Sequence, residues 1–170
     1  MKEELYQQLY KDLAALLDGE TDLVARMAET AALIYERMKF FWVGFYRVGA
    51  ALGDFRAAGG SCKPGPEGSE LVLGPFQGPA ACLRIAYGRG VCGTAWKEER
   101  TVVVPDVEAF PGHIACSSLS KSEIVVPVFA AAGTGADHRV VTAVLDIDST
   151  SLGAFDEIDA RWLEKICSLI

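Results

Sequence analysis

Apolar residues recur at helical spacing at both ends of this chain and alternate in the stretch between them. Leu5, Leu9, Leu13 and Leu16 fall on one face of a helix predicted over residues 3–18, and Gly19 ends the pattern. A second helix is predicted over 22–38, with Thr21 or Asp22 as its N-cap and Leu23, Met27, Ala31, Ile34 and Met38 as its stripe. Both stripes suit packing on a core, and they suit a homodimer contact equally well. The run "FFWVGFYRV" at 40–48 switches to strand periodicity. Phe41, Val43 and Phe45 share one face, and Trp42, Gly44 and Tyr46 share the other. Two aromatics around a glycine predict open space above that face.

Residues 49–70 are rich in Gly, Ala and Pro without periodicity, and they predict a long, flexible inserted loop that carries Cys62. "LVLGPFQG" reads as a short strand and turn, "ACLRI" at 81–85 as a strand, and "TVVV" at 101–104 as another. "GRGVCGTAWKEE" reads as a glycine turn opening a short helix. "EIVVPVFA" and "VVTAVLDIDS" predict an antiparallel pair across a turn near 133–137. A last helix starts near Asp156 and packs through Trp162, Ile166 and Leu169. Helices at both ends of a run of strands indicate an α+β fold, a central antiparallel sheet with the terminal helices on one side. The chain reads as one domain, 1–170, opening with helices over 1–39.

Composition narrows the function classes. The formal charge is −7 and no basic run occurs, which argues against nucleic acid and anionic membranes as partners. No apolar stretch is long enough to span a bilayer, and the charged N-terminus does not resemble a secretory signal. The expected compartment is the cytoplasm, where thiols stay reduced unless a catalytic cycle oxidises them. The five cysteines include no C-x-x-C, and only His113 and His138 could join them, so no metal site is expected.

The segment 88–93 matches G-x-G-x-x-G, but a dinucleotide site needs a βαβ unit of about thirty residues. The strand at 101–104 follows too soon, so these glycines are expected to serve a tight turn. Cys116 lies in a polar turn beside His113 and among Ser117, Ser118, Ser120 and Ser122, where a thiol can meet solvent or substrate. A His113–Cys116 pair would suit acyl chemistry, yet no third orienting group is evident. Cys92 opens the short helix, where it is either buried or activated by the helix N-terminus. Cys82 opens a strand. Cys62 and Cys167 look incidental, and no Arg or Lys stands out as a phosphate anchor.

The acidic groups say more. Asp146 and Asp148 are two apart on a strand and project from one face. Glu123 begins the strand that pairs with theirs, next to the turn that carries Cys116. Crowded carboxylates raise one another's pKa, so one can keep a proton to donate while the others hold a cation such as an α-ammonium group. A thiol, a proton donor, an ammonium anchor and an aromatic wall of Trp42 and Tyr46 would suit a small zwitterion with a reducible atom.

These stretches, "WVGFY", "LVLGPFQG", "ACLRI", "GRGVCG", "DVEAFPGHIAC", "SEIVVP" and "LDIDS", occur in the order seen in the free methionine-(R)-sulfoxide reductases, which are single GAF domains, and the chain resembles that family from Trp42 to Phe155 outside the loop. The resemblance implies a GAF fold with terminal helices on one face of the sheet and the ligand pocket on the other. It implies that Cys116 attacks the sulfoxide sulfur, that Cys82 resolves the resulting sulfenic acid as a disulfide, and that Cys92 is the family's third catalytic-site cysteine. Glu123, Asp146 and Asp148 match the pocket carboxylates, with Glu123 or one of the aspartates as proton donor, and Trp42 and Tyr46 match the aromatic wall. No metal or organic cofactor is implied, only an external dithiol such as thioredoxin. Ser117 departs from the acidic residue expected after the catalytic cysteine. The rival reading is a GAF module that binds a small molecule or senses redox state without turnover.

Overall fold

The computed structural model describes residues 1–50, 66–114, 116–130 and 140–170. The elements in chain order are α1 (Lys2–Leu16), α2 (Leu23–Met38), β1 (Trp42–Ala50), β2 (Ser69–Gln77), β3 (Arg84–Ile85), α3 (Gly90–Glu98), β4 (Val102–Val104), β5 (Ser122–Phe129), β6 (Val141–Ser149) and α4 (Glu157–Cys167). The six strands form one sheet in the order β3-β2-β1-β6-β5-β4, and every neighbouring pair is antiparallel. This is the α+β arrangement expected from the sequence.

Period-two alternation divides the sheet into two faces. Val43 and Phe45 of β1, Ile124, Val126 and Val128 of β5, and Ala143, Leu145 and Ile147 of β6 point to one side. There they pack against α1, α2 and α4 through Leu9, Leu13, Met27, Ala31, Ile34, Trp162, Leu163 and Ile166. Trp42, Tyr46, Val125 and Val144 point to the other side, where α3 covers them with Val91, Cys92, Ala95 and Trp96. The terminal helices thus take one face, as expected, while the short helix α3 lies with the cavity on the opposite face.

Caps fix the helix starts. The Asp22 side chain accepts from the Ala25 amide at 2.8 Å, which settles the N-cap of α2. Asp156 caps α4 by accepting from the Ile158 and Asp159 amides, and the Asp159 carboxylate accepts in turn from the Asp156 amide at 2.8 Å. The same Asp159, fully buried, accepts from Tyr6 Oη at 2.7 Å and pairs with Lys2 Nζ, which ties α1 to the start of α4. The α1 stripe is correspondingly rotated from the expected one. Leu9 and Leu13 are buried together with Tyr6 and Leu17, whereas Leu5 and Leu16 are half exposed.

Other expectations shift at their edges. Residues 49–50 belong to β1 and 69–70 to β2, and Pro66–Gly68 is a short helical turn. The expected loop is therefore shorter than 49–70, and its centre, with Cys62, lies outside the described residues, as does the turn at 133–137. Of "ACLRI" only Arg84 and Ile85 pair as a strand, with Val72 and Leu71. Phe41 stands before β1 and lines the cavity, not the helix-side core. The space above Gly44 is filled, since a Cβ there would collide with the Trp42 indole and the Phe76 side chain. No helix among the described residues is long and apolar enough to cross a membrane.

Candidate functional site

A cavity opens on the α3 face of the sheet, between β1, β5 and β6 below, α3 on one side and the segments 79–81, 113–114 and 116–120 above. Its floor is set by strand register. Glu123 stands opposite Asp148, and Asp146 opposite Val125 and Gly44, so three carboxyls of the central strands face the same space. Its aromatic wall is Trp42 and Tyr46, stacked with ring centroids 6.0 Å apart. Both rings also hold the backbone above them. Trp42 Nε1 donates to the Pro79 carbonyl at 3.0 Å, and Tyr46 Oη donates to the Cys82 carbonyl at 2.9 Å.

Cys82 and Cys116 are joined by a disulfide, with their Cα atoms 5.6 Å apart. Cys116 sits exposed in a bend on the rim, and Cys82 is half-buried just before β3, not within a strand. The Ser117 side chain accepts from the Leu119 amide at 3.2 Å, so the serine still supplies the turn with an acceptor that a carboxylate could also provide.

The electrostatics follow from burial. Glu123 and Asp146 are 7% and 6% exposed, and lost solvation first, then the charge of neighbouring carboxylates, push both carboxyls well above their ordinary range. Asp148 is pushed up to about 6 by burial, with the Ser120 hydroxyl pulling it part of the way back. Burial drives the His113 imidazole below its ordinary range, against a weaker pull from Glu108. His113 Nε2 lies 3.9 Å from Glu123 Oε2. With the acid held protonated and the base held neutral, that contact is a polar one and not an ion pair.

Cys92 departs most from what its position in the sequence suggests. It stands in the first turn of α3, where the helix would lower a thiol pKa, but it is 3% exposed and surrounded by acids. Burial, then the charges of Asp146 and Glu123, raise it well above the thiol range. It is a protonated thiol facing Asp146. No local spacing announces a metal site, yet Cys92, Glu123 and Asp146 each offer a ligand atom, and these lie within 4.8 Å of one another.

The fold brings Trp42, Tyr46, Cys82, Cys92, Cys116, Glu123, Asp146 and Asp148 together at one cavity and its rim. Cys167 is left in the helix-side core. Three further contributors carry little signal in the sequence. Three residues from Cys116 in a turn, His113 has weak geometry for a base to that thiol, and the imidazole faces Glu123. Ser120 is one serine among several, and it reaches Asp148. Arg89 stands at the cavity wall in the turn before α3, although no basic residue is expected there from the sequence. The glycine motif serves the turn as expected. Gly88 and Gly90 take φ of +72° and +60°, and the Gly88 amide donates to the Gly93 carbonyl at 3.0 Å.

Comparison with known proteins agrees with this geometry. Residues 12–170 match the model of the GAF domain family. GAF domain-containing protein A of Dictyostelium discoideum is 48% identical over 169 residues, 99% of this chain and 92% of its own. The free methionine-R-sulfoxide reductase of Escherichia coli K12 is 41% identical over 166 residues, 97% of this chain and 86% of its own. Among solved structures, that of the free methionine-R-sulfoxide reductase of Neisseria meningitidis in complex with its substrate superposes with a TM-score of 0.81 at 47% identity, covering 99% of this chain and 87% of that one. The chain belongs to the GAF domain family and, within it, to the free methionine-R-sulfoxide reductases.

Proposed function

We propose that this protein reduces free L-methionine (R)-sulfoxide to L-methionine, with Cys116 as the attacking thiol and Cys82 as its resolving partner. The carrying observation is the Cys82–Cys116 disulfide on the rim of a cavity floored by three buried carboxyls. A solvated acidic patch would not hold protons near neutrality. This one can at Glu123 and Asp146, which burial raises well above the ordinary carboxylate range.

The carboxyls divide the work by environment. Asp148, near 6, is ionised at neutral pH and anchors the substrate ammonium. Glu123 stays protonated and donates to the sulfoxide oxygen. Trp42 and Tyr46 wall the side chain and methyl group. Cys116 attacks sulfur as the oxygen takes the proton. The S–O bond then breaks, methionine leaves, and Cys116 carries the oxygen as a sulfenic acid. The Cys82 thiol attacks that sulfur, water departs, and the disulfide forms. An external dithiol, thioredoxin or a relative, supplies two electrons and two protons to restore both thiols. The scheme uses no metal and no organic cofactor.

The test is NADPH consumption with thioredoxin, thioredoxin reductase and free methionine sulfoxide. Wild-type protein should turn over, and Cys116→Ser should not. A binding or redox-sensing module would show no substrate-dependent consumption. Normal turnover by Cys116→Ser would refute the assignment.

A further inference from the structure

Cys92 is a buried thiol that the proposed chemistry does not use. Its sulfur and one oxygen each from Glu123 and Asp146 lie within 4.8 Å of one another at the cavity floor. A tetrahedral zinc ion, with Zn–S about 2.3 Å and Zn–O about 2.0–2.2 Å, needs ligand atoms roughly 3.3–3.8 Å apart. The 4.8 Å span is the upper limit on their separations, so the three atoms lie close to that range. A second observation points to a ligand. Asp146 Oδ1 is buried with no well-formed hydrogen bond, on a side chain only 6% exposed. The neighbours able to satisfy it are themselves acids, the Cys92 thiol and the Glu123 carboxyl. The cluster therefore brings three groups that can serve as anionic metal ligands to one buried spot.

We propose that Cys92, Glu123 and Asp146 form a site for one thiophilic divalent cation, Zn²⁺ being the biological member, and that its occupation closes the cavity to an ammonium-bearing ligand. The thiolate selects Zn²⁺ or Cd²⁺ over Mg²⁺ and Ca²⁺. The three side chains leave the fourth position to water from the cavity, as in open zinc sites. The site is complete while the Cys82–Cys116 disulfide is intact, because neither of those sulfurs takes part. Metal binding does not rest on the catalytic reading. The exclusion of ligand does.

The experiment titrates oxidised full-length protein carrying Cys62→Ser, which removes that thiol, with Cd²⁺ and follows the thiolate-to-cadmium charge-transfer band in the ultraviolet. One equivalent should bind, Zn²⁺ should displace it, and Cys92→Ser should lose the band. Asp146→Asn, nearly the same shape, should weaken binding by at least about tenfold, and Cys167→Ser should change nothing. Saturating L-methionine should lower the apparent affinity. A band that survives Cys92→Ser, or affinity unchanged in Asp146→Asn, overturns the site. Intact Cd²⁺ binding that methionine does not oppose overturns the exclusion and counts against the substrate reading, while leaving the metal site standing.

Discussion

Tyr46 Oη donates a hydrogen bond to the Cys82 backbone carbonyl across 2.9 Å, so the cavity wall and the cysteine bonded to Cys116 form one unit. Tyr46 itself is 1% exposed, in the middle of β1, the strand flanked by β2 and β6. Cys82, by contrast, lies in a half-buried segment with little regular structure. The bond, with the parallel one from Trp42 to Pro79, holds that segment at fixed height over the sheet. A disulfide can form repeatedly only if its partner returns to the same place after each opening.

Tyr46→Phe keeps the ring and removes the anchor. The expected result is a methionine burst of normal size followed by slower disulfide formation, because the attack on substrate does not need Cys82 while resolution does. Stability should fall by about 1 kcal/mol, the usual net worth of one such bond. Rapid-quench analysis of methionine against free-thiol loss separates the two steps. Equal slowing of both would place Tyr46 in the attack itself.

The parts of this molecule that are legible in its sequence are those governed by local period. Alternation in β1, β5 and β6 assigns their two faces, and residue spacing alone puts Asp146 and Asp148 on the same one, the face that borders the cavity. Glu123 joins them because β5 and β6 pair, a relationship the two apolar runs already imply. The rest depends on contacts distant in sequence. Tyr6, not Leu5, faces the core because its hydroxyl finds the buried Asp159, 153 positions away. Cys92 reads as an activated helix-start thiol, and only the fold reveals the acids around it. Spacing alone does not choose Cys82 as the partner of Cys116 across 34 residues. That pairing comes from the family resemblance.

Asp148 should make the protein less stable as pH rises. Its carboxyl has an ordinary value of 3.8 and about 6 in the fold, so the folded state binds its proton more tightly. The stabilisation is fully present below pH ~3.8 and is lost as the pH rises through about 6, amounting to about 3 kcal/mol. Asp148→Asn cannot ionise and should escape this loss. Urea unfolding at pH 4 and pH 8 should show the variant gaining on wild type between the two. Its KM for methionine sulfoxide should rise, because the carboxylate proposed to hold the substrate ammonium is gone. A pH-independent difference in stability would show that Asp148 is not the titrating group.

Asp159 carries a load unrelated to the cavity. It receives Tyr6 and Lys2 from α1 and caps the Asp156 amide of α4. Burial alone would lower the Lys2 pKa, but Asp159 and Asp156 together hold it above its ordinary range. Asp159→Ala leaves the Tyr6 hydroxyl buried and unpaired and breaks the capping box. A loss of about 3 kcal/mol is expected from those two mechanisms. Turnover at a temperature where the variant remains folded should match wild type. A fall in kcat without a fall in unfolding midpoint would contradict this division of labour.

Gly93→Ala tests whether the position of α3 sets the cavity floor. A Cβ at 93 would stand 2.5 Å from the Ala86 carbonyl oxygen and 3.1 Å from the Gly88 amide nitrogen, both backbone atoms that cannot swing aside. The helix must move off the 86–88 turn, and Cys92, the preceding residue, moves with it. The Gly88–Gly93 bond that closes the turn is lost or stretched. Stability should drop by about 1–3 kcal/mol, the usual cost of overpacking. The more telling readout is ligand affinity. Shifting Cys92 away from Asp146 removes a neighbour that helps hold that carboxyl in place, so KM should rise while the Cys82–Cys116 disulfide still forms on oxidation. Unchanged KM in a folded Gly93→Ala protein would mean that the cavity is shaped by the sheet alone.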